Sequence, residues 1–330
     1  MRVGLVIYGS LDGLSGGYIY DRQLVCHLES KGHPVEVVSL QKRPLPGNLA
    51  DNLSPGLLRT LRSAEADVWL QDGLCHPSLF WINRRIRKLS SAPVVGLVHQ
   101  VLSARSDLSR FQALCTGLEK RFFHSLDGFV CNSRTSRDFI QGSLGLDRPC
   151  LVATPGGDRL GRATPREVED RCRASGPLRL LFLANVLPGK GLHRLIQALA
   201  ILPPETARLT VAGREDLEPG YVQGIKSRLV QAGLSEQVRF AGALKGSELS
   251  RTLREHHLLA LPFSQESFGI AYLEGLAFGM PALGSTLGAA REIIVPGRNG
   301  ELIPPGDHGF LAEVLLRLHH DRELLRTMSY

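Results

Sequence analysis

Short apolar runs alternate with longer amphipathic stretches along the whole chain. The apolar runs predict strands at Arg2–Tyr8, Val35–Leu40, Val68–Leu70, Val94–His99, Gly128–Cys131 and Cys150–Ala153, and then at Leu178–Ala184, Arg208–Ala212, Gln237–Ala241, Leu258–Leu261, Pro281–Gly284 and Glu301–Ile303. Strands that alternate with helices in this way are typical of parallel sheets covered by helices on both faces. The predicted fold class is therefore α/β, with two Rossmann-like, doubly wound parallel-sheet domains.

The segment Asp158–Pro177 separates the two series of strands. It is charged, it has few apolar residues, and Gly and Pro lie near its ends, as in a domain boundary. We therefore expect an N-terminal domain over residues 1–160 and a C-terminal domain over residues 161–330. Ligands bind beyond the carboxyl ends of strands in such sheets, so the two domains are expected to face each other across one cleft.

Composition agrees with a soluble two-domain protein. The 330 residues are 43% hydrophobic and 22% charged, which is enough apolar material for two cores. The first strand begins at the N-terminus without a leader pattern, and no apolar run approaches about eighteen residues, so a cytoplasmic location is expected. The six cysteines are scattered without zinc-ligand spacing, which predicts reduced thiols.

Two glutamates eight positions apart suggest the chemistry. Glu266 follows the apolar run Leu258–Phe263, and residues 267–269 have the composition of a tight turn. A helix is predicted at Ile270–Phe278, with Glu274 about one turn in. The free N–H groups at this helix start could hold a diphosphate, while the two carboxylates accept hydrogen bonds from sugar or ribose hydroxyls. This arrangement suggests a nucleotide sugar as ligand; the alternative is that both glutamates are solvated surface residues.

The segment LPFSQESFGIAYLEGLAFGMPALGSTLGAAREIIVPGRNGELIPPGD (261–307) resembles the donor-site signature of the retaining GT-B glycosyltransferases of family 4. VCNSRTSRDFI (130–140) and ATPGGD (153–158) resemble further elements of that family, so the resemblance covers nearly the whole chain. It implies a GT-B architecture with an acceptor-binding N-terminal domain and a donor-binding C-terminal domain. It also implies that a hexose-type sugar moves, with retention, from a UDP- or GDP-sugar to a hydroxyl of a lipid or glycan acceptor.

The resemblance also assigns roles to residues. His99, Glu266 and Lys190 are the implied catalytic residues. The implied donor-binding residues are Gly16, Gly17, Asn185, Lys190, Glu266, Ser267, Phe268, Gly269, Ile270 and Glu274. From the sequence alone, Gly16-Gly17 could equally form a simple strand-to-helix turn, and His99 could be a hydrogen-bonded core histidine. His256, His257, His319 and His320 are interpreted as helix or surface residues.

One position departs from the family. In FLANVLPGKGLHRLIQAL, Lys190 and Gly191 match the family's V-G-R-L-x-x-x-K-G stretch, but Asn185 replaces the arginine. Asparagine donates hydrogen bonds without bringing charge, so the leaving group would depend more on Lys190, helix N-termini and another arginine. Because the chain has no Asp-x-Asp motif, we expect metal-independent transfer and no cofactor.

A basic, amphipathic stretch at Leu79–Leu89 is the last feature. It carries Trp81, Arg84, Arg85, Arg87 and Lys88. Such a stretch suits the surface of an anionic membrane, a peripheral position at the inner face, or an acidic glycan acceptor, although an ordinary surface helix has the same pattern. A nucleic-acid partner is not expected, since the basic residues lack interleaved aromatics.

Two other functions fit the same residues. The chain could be a catalytically silent GT-B subunit that binds nucleotide sugars, which the Asn185 replacement makes conceivable. It could also be a GT-B-like epimerase or phosphorylase. Family chains often end in a helix that crosses back to the N-terminal domain, and the pattern ending at Thr327–Tyr330 predicts that this helix is short or missing.

Overall fold

The structure, a computed structural model, describes residues 1–13, 15–88, 90–104, 110–157, 159–262 and 266–330. Leu89, Asp158 and Phe263, which belong to segments discussed above, lie outside these residues. The chain divides into two compact units, Met1–Pro155 and Gly156–Tyr330. Each unit has one parallel sheet of six strands over the described residues, which confirms the predicted α/β class with two doubly wound sheets.

Unit 1 contains the first six strands and seven helices of the described chain. The strands are β1 (Val3–Tyr8), β2 (Val35–Leu40), β3 (Val68–Asp72), β4 (Val94–Val98), β5 (Gly128–Cys131) and β6 (Cys150–Val152). The helices are α1 (Gly16–Ser30), α2 (Leu45–Ala50), α3 (Pro55–Ser63), α4 (His76–Leu79), α5 (Ile82–Ile86), α6 (Arg110–Phe123) and α7 (Arg134–Asp138). The strand order across the sheet is β2-β1-β3-β4-β5-β6.

Unit 2 repeats the alternation of strand and helix. Its strands are β7 (Leu178–Leu183), β8 (Ala207–Ala212), β9 (Val238–Gly242), β10 (Leu258–Ala260), β11 (Ala282–Ser285) and β12 (Gly300–Ile303). Its helices are α8 (Pro165–Arg173), α9 (Leu192–Ala200), α10 (Pro219–Gln231), α11 (Gly246–Glu255), α12 (Ile270–Ala277), α13 (His308–His320) and α14 (Arg322–Met328). The strand order is β12-β11-β10-β7-β8-β9.

Every predicted strand is present, with ends that differ by at most two residues. The prediction succeeds because a parallel sheet covered on both faces buries consecutive side chains, and its strands then appear as continuous apolar runs. All residues of β1, β10 and β11 are buried. Phe182, Tyr272 and Phe278 are among the largest buried side chains of unit 2.

The strand orders locate the point in each sheet where the chain reverses direction. In unit 1 this point lies between β1 and β3, and in unit 2 between β7 and β10. Loops leave the carboxyl ends of two such strands toward opposite faces of the sheet, and a crevice opens between them. In unit 2, the turns after β7 and β10 are therefore the expected walls of a ligand site.

The segment expected to form the domain boundary contains helix α8. Thr164 caps the helix, and a reciprocal hydrogen bond with Glu167 completes a capping box. Val168 and Cys172 are buried against the core of unit 2, whereas the other side chains of the helix are mostly charged. These two apolar residues hold the short helix on the core, and its otherwise charged composition resembles that of a domain boundary. The units divide between Pro155 and Gly156, compared with the expected division between residues 160 and 161.

Helix α8 also places a buried arginine under two other helices. The Arg171 guanidinium donates hydrogen bonds to the carbonyls of Leu253 and Arg254 at the end of α11. It also donates to the carbonyls of Phe278 and Gly279 after α12. A cation at helix C-termini is stabilised by the carbonyls left without intrahelical partners.

The last described helix, α14, packs on α8 inside unit 2. Leu325 and Met328 are buried, and the Tyr330 hydroxyl donates a hydrogen bond to the Pro165 carbonyl. Among the described residues, no helix has the length and apolar character needed to cross a membrane.

Candidate functional site

Lys190 and Glu266 meet at the point where the chain of unit 2 reverses. Lys190 ends a single 3₁₀ turn, Pro188–Lys190, that follows β7, and Glu266 lies in the turn after β10. β7 and β10 are hydrogen-bonded neighbours in the sheet, so both side chains leave the same edge. The Lys190 Nζ atom lies 2.6 Å from Glu266 Oε1, and both side chains are partly exposed. A cation and a carboxylate are thus available together where a ligand would enter.

The N-terminus of α12 lies directly after Glu266. Gly269 precedes the helix with φ of +93°, and a Cβ atom on it would lie 2.5 Å from the Tyr272 ring. Among the described residues, no side chain caps the helix start, so the amide groups that begin at Ile270 are available for an anion. Ser267 and the buried Phe268 form the turn into the helix. The helix ends at Ala277, one residue earlier than predicted.

A second turn fixes the backbone of Glu266. Ala289 donates a backbone hydrogen bond of 2.9 Å to the Glu266 carbonyl. Gly288 forms a bridge with Glu266, and its φ of +74° together with a Cβ position only 2.3 Å from the Glu266 carbonyl oxygen requires glycine. Sequence reasoning assigned no role to Gly288. A glycine at this position in the sequence could have indicated that two backbone segments approach each other closely.

Glu274 lies deeper, on the second turn of α12, with 4% of its surface exposed. The Arg159 Nε atom donates a hydrogen bond of 2.6 Å to Glu274 Oε1, and the Arg159 Nη2 atom contacts the same oxygen. Burial raises the pKa of the Glu274 carboxyl, and the charge and hydrogen bond of Arg159 oppose that rise. Arg159 was missed because it lies in the segment that was interpreted as the domain boundary.

Asn185 follows β7, and one of its side-chain groups is hydrogen-bonded to the backbone that follows β8. Its side-chain oxygen accepts a hydrogen bond of 3.3 Å from the Arg214 backbone N–H. The Asn185 side-chain amide therefore has its N–H groups left to donate. The Arg214 guanidinium forms an ion pair with Asp216 at the surface.

In unit 1, the candidate residues Gly16, Gly17 and His99 come together. Gly16 and Gly17 are the first two residues of α1, after the loop that follows β1. A Cβ atom on Gly17 would lie 3.3 Å from His99 Cδ2, so the helix start packs closely against the imidazole. His99 comes directly after β4 and is buried. Its Nε2 atom lies 2.8 Å from Oδ1 of Asp21, a residue that sequence reasoning missed.

The His99 site is a buried cluster of charge. Burial lowers the pKa of His99, but the hydrogen bond and charge of Asp21 and the charge of Asp72 outweigh it, so the pKa is raised overall. Burial, together with the Asp21 charge, raises the pKa of Asp72 to about 6, while His99 opposes the rise. Asp21 is 0% exposed, and its Oδ2 atom has no hydrogen-bond partner in the described structure.

The basic stretch near residue 80 is divided between two short helices. It forms α4 and α5, and Leu79, Ile82 and Ile86 are buried in the core of unit 1. The apolar side that suited a membrane is thus used inside the protein. Trp81 stays 48% exposed. The cations beside it are Arg84, Arg85, Arg87 and Lys88, of which Arg85 is half-buried and Arg87 forms an ion pair with Asp127.

His256 and His257 are buried, so their interpretation as helix or surface residues was wrong. His257 Nδ1 accepts a hydrogen bond of 2.8 Å from the Arg179 backbone N–H, and Nε2 then donates to the Arg171 carbonyl. Burial and the neighbouring Arg179 charge lower the pKa of His257 to about 3. This histidine is a neutral structural link. His319 is half-buried and His320 is exposed at the end of α13.

Three or more His, Cys, Asp or Glu side chains do not come together in a metal-binding arrangement anywhere in the part of the chain that the structure describes. The groups of unit 2 that could bind a ligand are therefore the Lys190 cation, the Glu266 and Glu274 carboxylates and the N-terminus of α12.

Comparison with known proteins gives matches along the whole chain. Residues 166–330 match the family model described as glycosyl transferases group 1. A phosphatidyl-myo-inositol mannosyltransferase of Mycobacterium leprae is 27% identical, over 96% of this chain and 87% of its own. A D-inositol 3-phosphate glycosyltransferase of Xylanimonas cellulosilytica is 26% identical, over 84% of this chain and 69% of its own.

Solved structures share the fold. A sucrose-phosphate synthase from Thermosynechococcus elongatus superposes with a TM-score of 0.84 at 17% identity, and covers 99% of this chain and 92% of its own. HepE from Anabaena, solved in complex with UDP and glucose, has a TM-score of 0.76 at 22% identity, over 100% of this chain and 92% of its own. At these identities, the similarity establishes the two-domain α/β architecture.

Proposed function

The chain belongs to the glycosyl transferases group 1, and from this premise we propose that it transfers a hexose-type sugar from a UDP- or GDP-sugar to a hydroxyl group. It is a glycosyltransferase with the GT-B fold. The acceptor that we propose is a lipid or a glycan, and the transfer is proposed to retain the anomeric configuration and to need no metal.

The contact between Lys190 and Glu266 carries this proposal. It lies at the reversal point of the unit 2 sheet, beside the uncapped N-terminus of α12. A nucleoside diphosphate would place its phosphates between the Lys190 ammonium and the first amides of that helix. Glu266 would then exchange its lysine contact for hydroxyl groups of the sugar, which a carboxylate accepts.

The proposed reaction assigns the protein mainly to positioning and electrostatics. The acceptor hydroxyl attacks the anomeric carbon on the face that the leaving diphosphate departs from, and the departing phosphate oxygen takes the hydroxyl proton. Lys190 and the α12 amides stabilise the charge that develops on the diphosphate. In unit 1, His99 is held by Asp21, and we propose that it orients the acceptor hydroxyl. We assign no covalent nucleophile.

The names of the relatives guide the choice of acceptor. A phosphatidyl-myo-inositol mannosyltransferase and a D-inositol 3-phosphate glycosyltransferase both carry an inositol unit in their names. We therefore propose inositol phosphates and phosphatidylinositol as the first acceptors to test. The exposed Trp81 and its neighbouring cations are proposed to contact an acidic acceptor or an anionic membrane at its inner face.

Calorimetric titration of the purified protein in EDTA, against UDP, GDP and their sugars, tests the donor proposal. The expected result is that one nucleotide binds selectively and that the corresponding nucleotide sugar binds with higher affinity. The selected donor is then incubated with the inositol acceptors, and the anomeric configuration of the product is read by NMR. Absence of nucleotide binding, or a requirement for divalent metal, contradicts the proposal.

One observation favours a second function, a silent subunit that binds nucleotide sugars. Asn185 replaces the family's arginine and has its oxygen occupied by Arg214 N–H, so it brings no charge to the leaving group. In that case, the titration shows donor binding but no product forms with any acceptor. An Asn185→Arg variant that gains transfer activity would support this second function.

A further inference from the structure

The segment that opens unit 2 runs along the donor-site helix α12. A Cβ atom on Gly157 would lie 2.7 Å from Leu273 Cβ, so the backbone at Gly157 presses against the helix. Arg159 pairs with Glu274, and Ala163 donates a backbone hydrogen bond of 3.2 Å to the Ala277 carbonyl. Positions 273, 274 and 277 lie on one side of a helix with 3.6 residues per turn. The segment therefore follows a single face of α12.

The contact between Arg159 and Glu274 is one-sided. Both Nε and Nη2 of Arg159 approach Oε1 of the carboxylate. Among the described residues, no donor reaches Glu274 Oε2. A carboxylate has about four lone-pair positions, so the arginine leaves acceptor capacity for a ligand. The arginine can hold the carboxylate while a ribose hydroxyl binds it.

The surroundings explain why the carboxylate needs this partner. Glu274 is 4% exposed, and its α12 neighbours Tyr272 and Gly275 are buried as well. Burial disfavours the charged form of a carboxyl group unless an opposite charge is close. Among the residues that the structure describes, Arg159 is the charged group that acts on the Glu274 pKa, and it opposes the effect of burial. Without Arg159, the group would become neutral more readily, and a neutral carboxyl binds hydroxyls less strongly.

We propose that Arg159 is a positioning residue for donor binding, which holds the Glu274 carboxylate charged and fixed so that its second oxygen can accept a ribose hydroxyl. The inference rests on the proposed function, because it takes Glu274 as the ribose-binding group. Arg159 acts through Glu274 and is not itself a catalytic residue.

The test compares three variants by calorimetric titration with the nucleoside diphosphate that binds the wild type, between pH 5.5 and pH 8.5. Arg159→Met removes the charge and keeps the length, Arg159→Lys restores the charge, and Arg162→Met is the matched control on an exposed neighbour. Arg159→Met is expected to weaken binding about tenfold at the acid end and less at the alkaline end. Arg159→Lys should recover most of the affinity, and Arg162→Met should match the wild type.

Equal pH profiles for Arg159→Met and wild type, with thermal stability lowered or not, would show that the pair is only structural and overturn the proposal. Tighter nucleotide binding by Arg159→Met would also overturn it, since the arginine would then compete with the ribose. A readout without ligand separates this inference from the proposed function. Carboxyl ¹³C NMR, with Glu274→Gln for assignment, should show the Glu274 pKa shifted upward in Arg159→Met. If the wild type binds no nucleotide, the proposed function fails, and an unshifted Glu274 overturns the inference by itself.

Discussion

Asp21 Oδ1 lies 2.8 Å from His99 Nε2, and this contact ties helix α1 to the end of strand β4. Both side chains are buried, and the helix start at Gly17 packs against the same imidazole. A histidine held on one nitrogen by a carboxylate has a defined tautomer, with the other nitrogen left for a ligand. The N-terminal half of the chain thus contains a preorganised imidazole whose charge depends on a neighbouring helix.

Asp21→Asn is expected to lower the pKa of His99, because the carboxylate that outweighs burial is removed. Since the pKa of His99 is raised in the folded protein, this histidine stabilises the fold when the pH is below its pKa in the unfolded chain. The stabilisation is lost as the pH rises through its pKa in the folded protein. The variant should lose that contribution. The measurement is an imidazole NMR titration together with urea unfolding at several pH values. Asp12→Asn, in an exposed loop, should change neither.

Lys190→Met should weaken nucleoside diphosphate binding by about tenfold or more, since it removes the cation next to the α12 N-terminus. Titration calorimetry gives the comparison. Lys226→Met is the control, because Lys226 also forms an ion pair with a glutamate of unit 2, at the surface with Glu215. An equal loss of affinity in both variants would mean that the net charge of the protein, and not the Lys190 site, determines binding.

Gly269→Ala should destabilise unit 2 by about 1–3 kcal/mol and reduce nucleotide binding. Its φ of +93° disfavours any side chain, and the added Cβ would meet the Tyr272 ring at 2.5 Å. Gly224→Ala is the opposite case. Gly224 lies inside α10 with open space around it, so alanine should stabilise by about 0.5–1 kcal/mol. Urea unfolding of both variants measures the difference, and an unaffected Gly269→Ala protein would contradict the strained turn.

His257 should make unit 2 sensitive to acid. Its pKa falls to about 3 in the folded protein, below its ordinary value of 6.5, so the fold loses stability as pH decreases from 6.5 toward 3. His257→Ala should cost about 2–4 kcal/mol at pH 7.5, because it leaves the Arg179 N–H and the Arg171 carbonyl without partners. The variant should also lose this part of the acid dependence. Unfolding curves at pH 7.5 and pH 5 test both effects, with the exposed His320→Ala as control.

Glu274→Gln should weaken donor use sharply while the fold remains intact. The amide keeps the shape of the side chain but loses the charge that Arg159 and the ribose hydroxyls bind. The measurement is steady-state transfer kinetics as a function of donor concentration, with circular dichroism to confirm folding. Unchanged turnover and unchanged KM would remove Glu274 from the donor site.

Strands and strand-end residues were predictable because their signals are local. A continuous apolar run such as β10 identifies a buried strand, and Glu266 then must lie near the carboxyl edge of the sheet. The adjacency of Lys190 and Glu266 also follows once the strand order is doubly wound. These features need only a few neighbouring residues and a general rule of topology.

The groups that tune the sites were not predictable in this way. Asp21 is 78 residues from His99, and Arg159 is 115 residues from Glu274. Arg179 is 78 residues from His257. The charged residues around His257 in the sequence gave no indication that it is buried. A single polar residue has the same appearance in a sequence whether it is solvated or buried against a distant partner. Long-range partners of buried charges therefore become visible only when the fold brings them together.

Arg171 determines where a separately expressed fragment of unit 2 can begin. Its guanidinium holds the ends of α11 and α12, so a fragment that starts after Arg173 would carry frayed helices at its centre. A fragment that starts at residue 166 would keep Arg171 but lose Thr164, the cap that orients α8. Any separately expressed unit 2 should therefore include residues 156–164, which also carry Arg159 against α12.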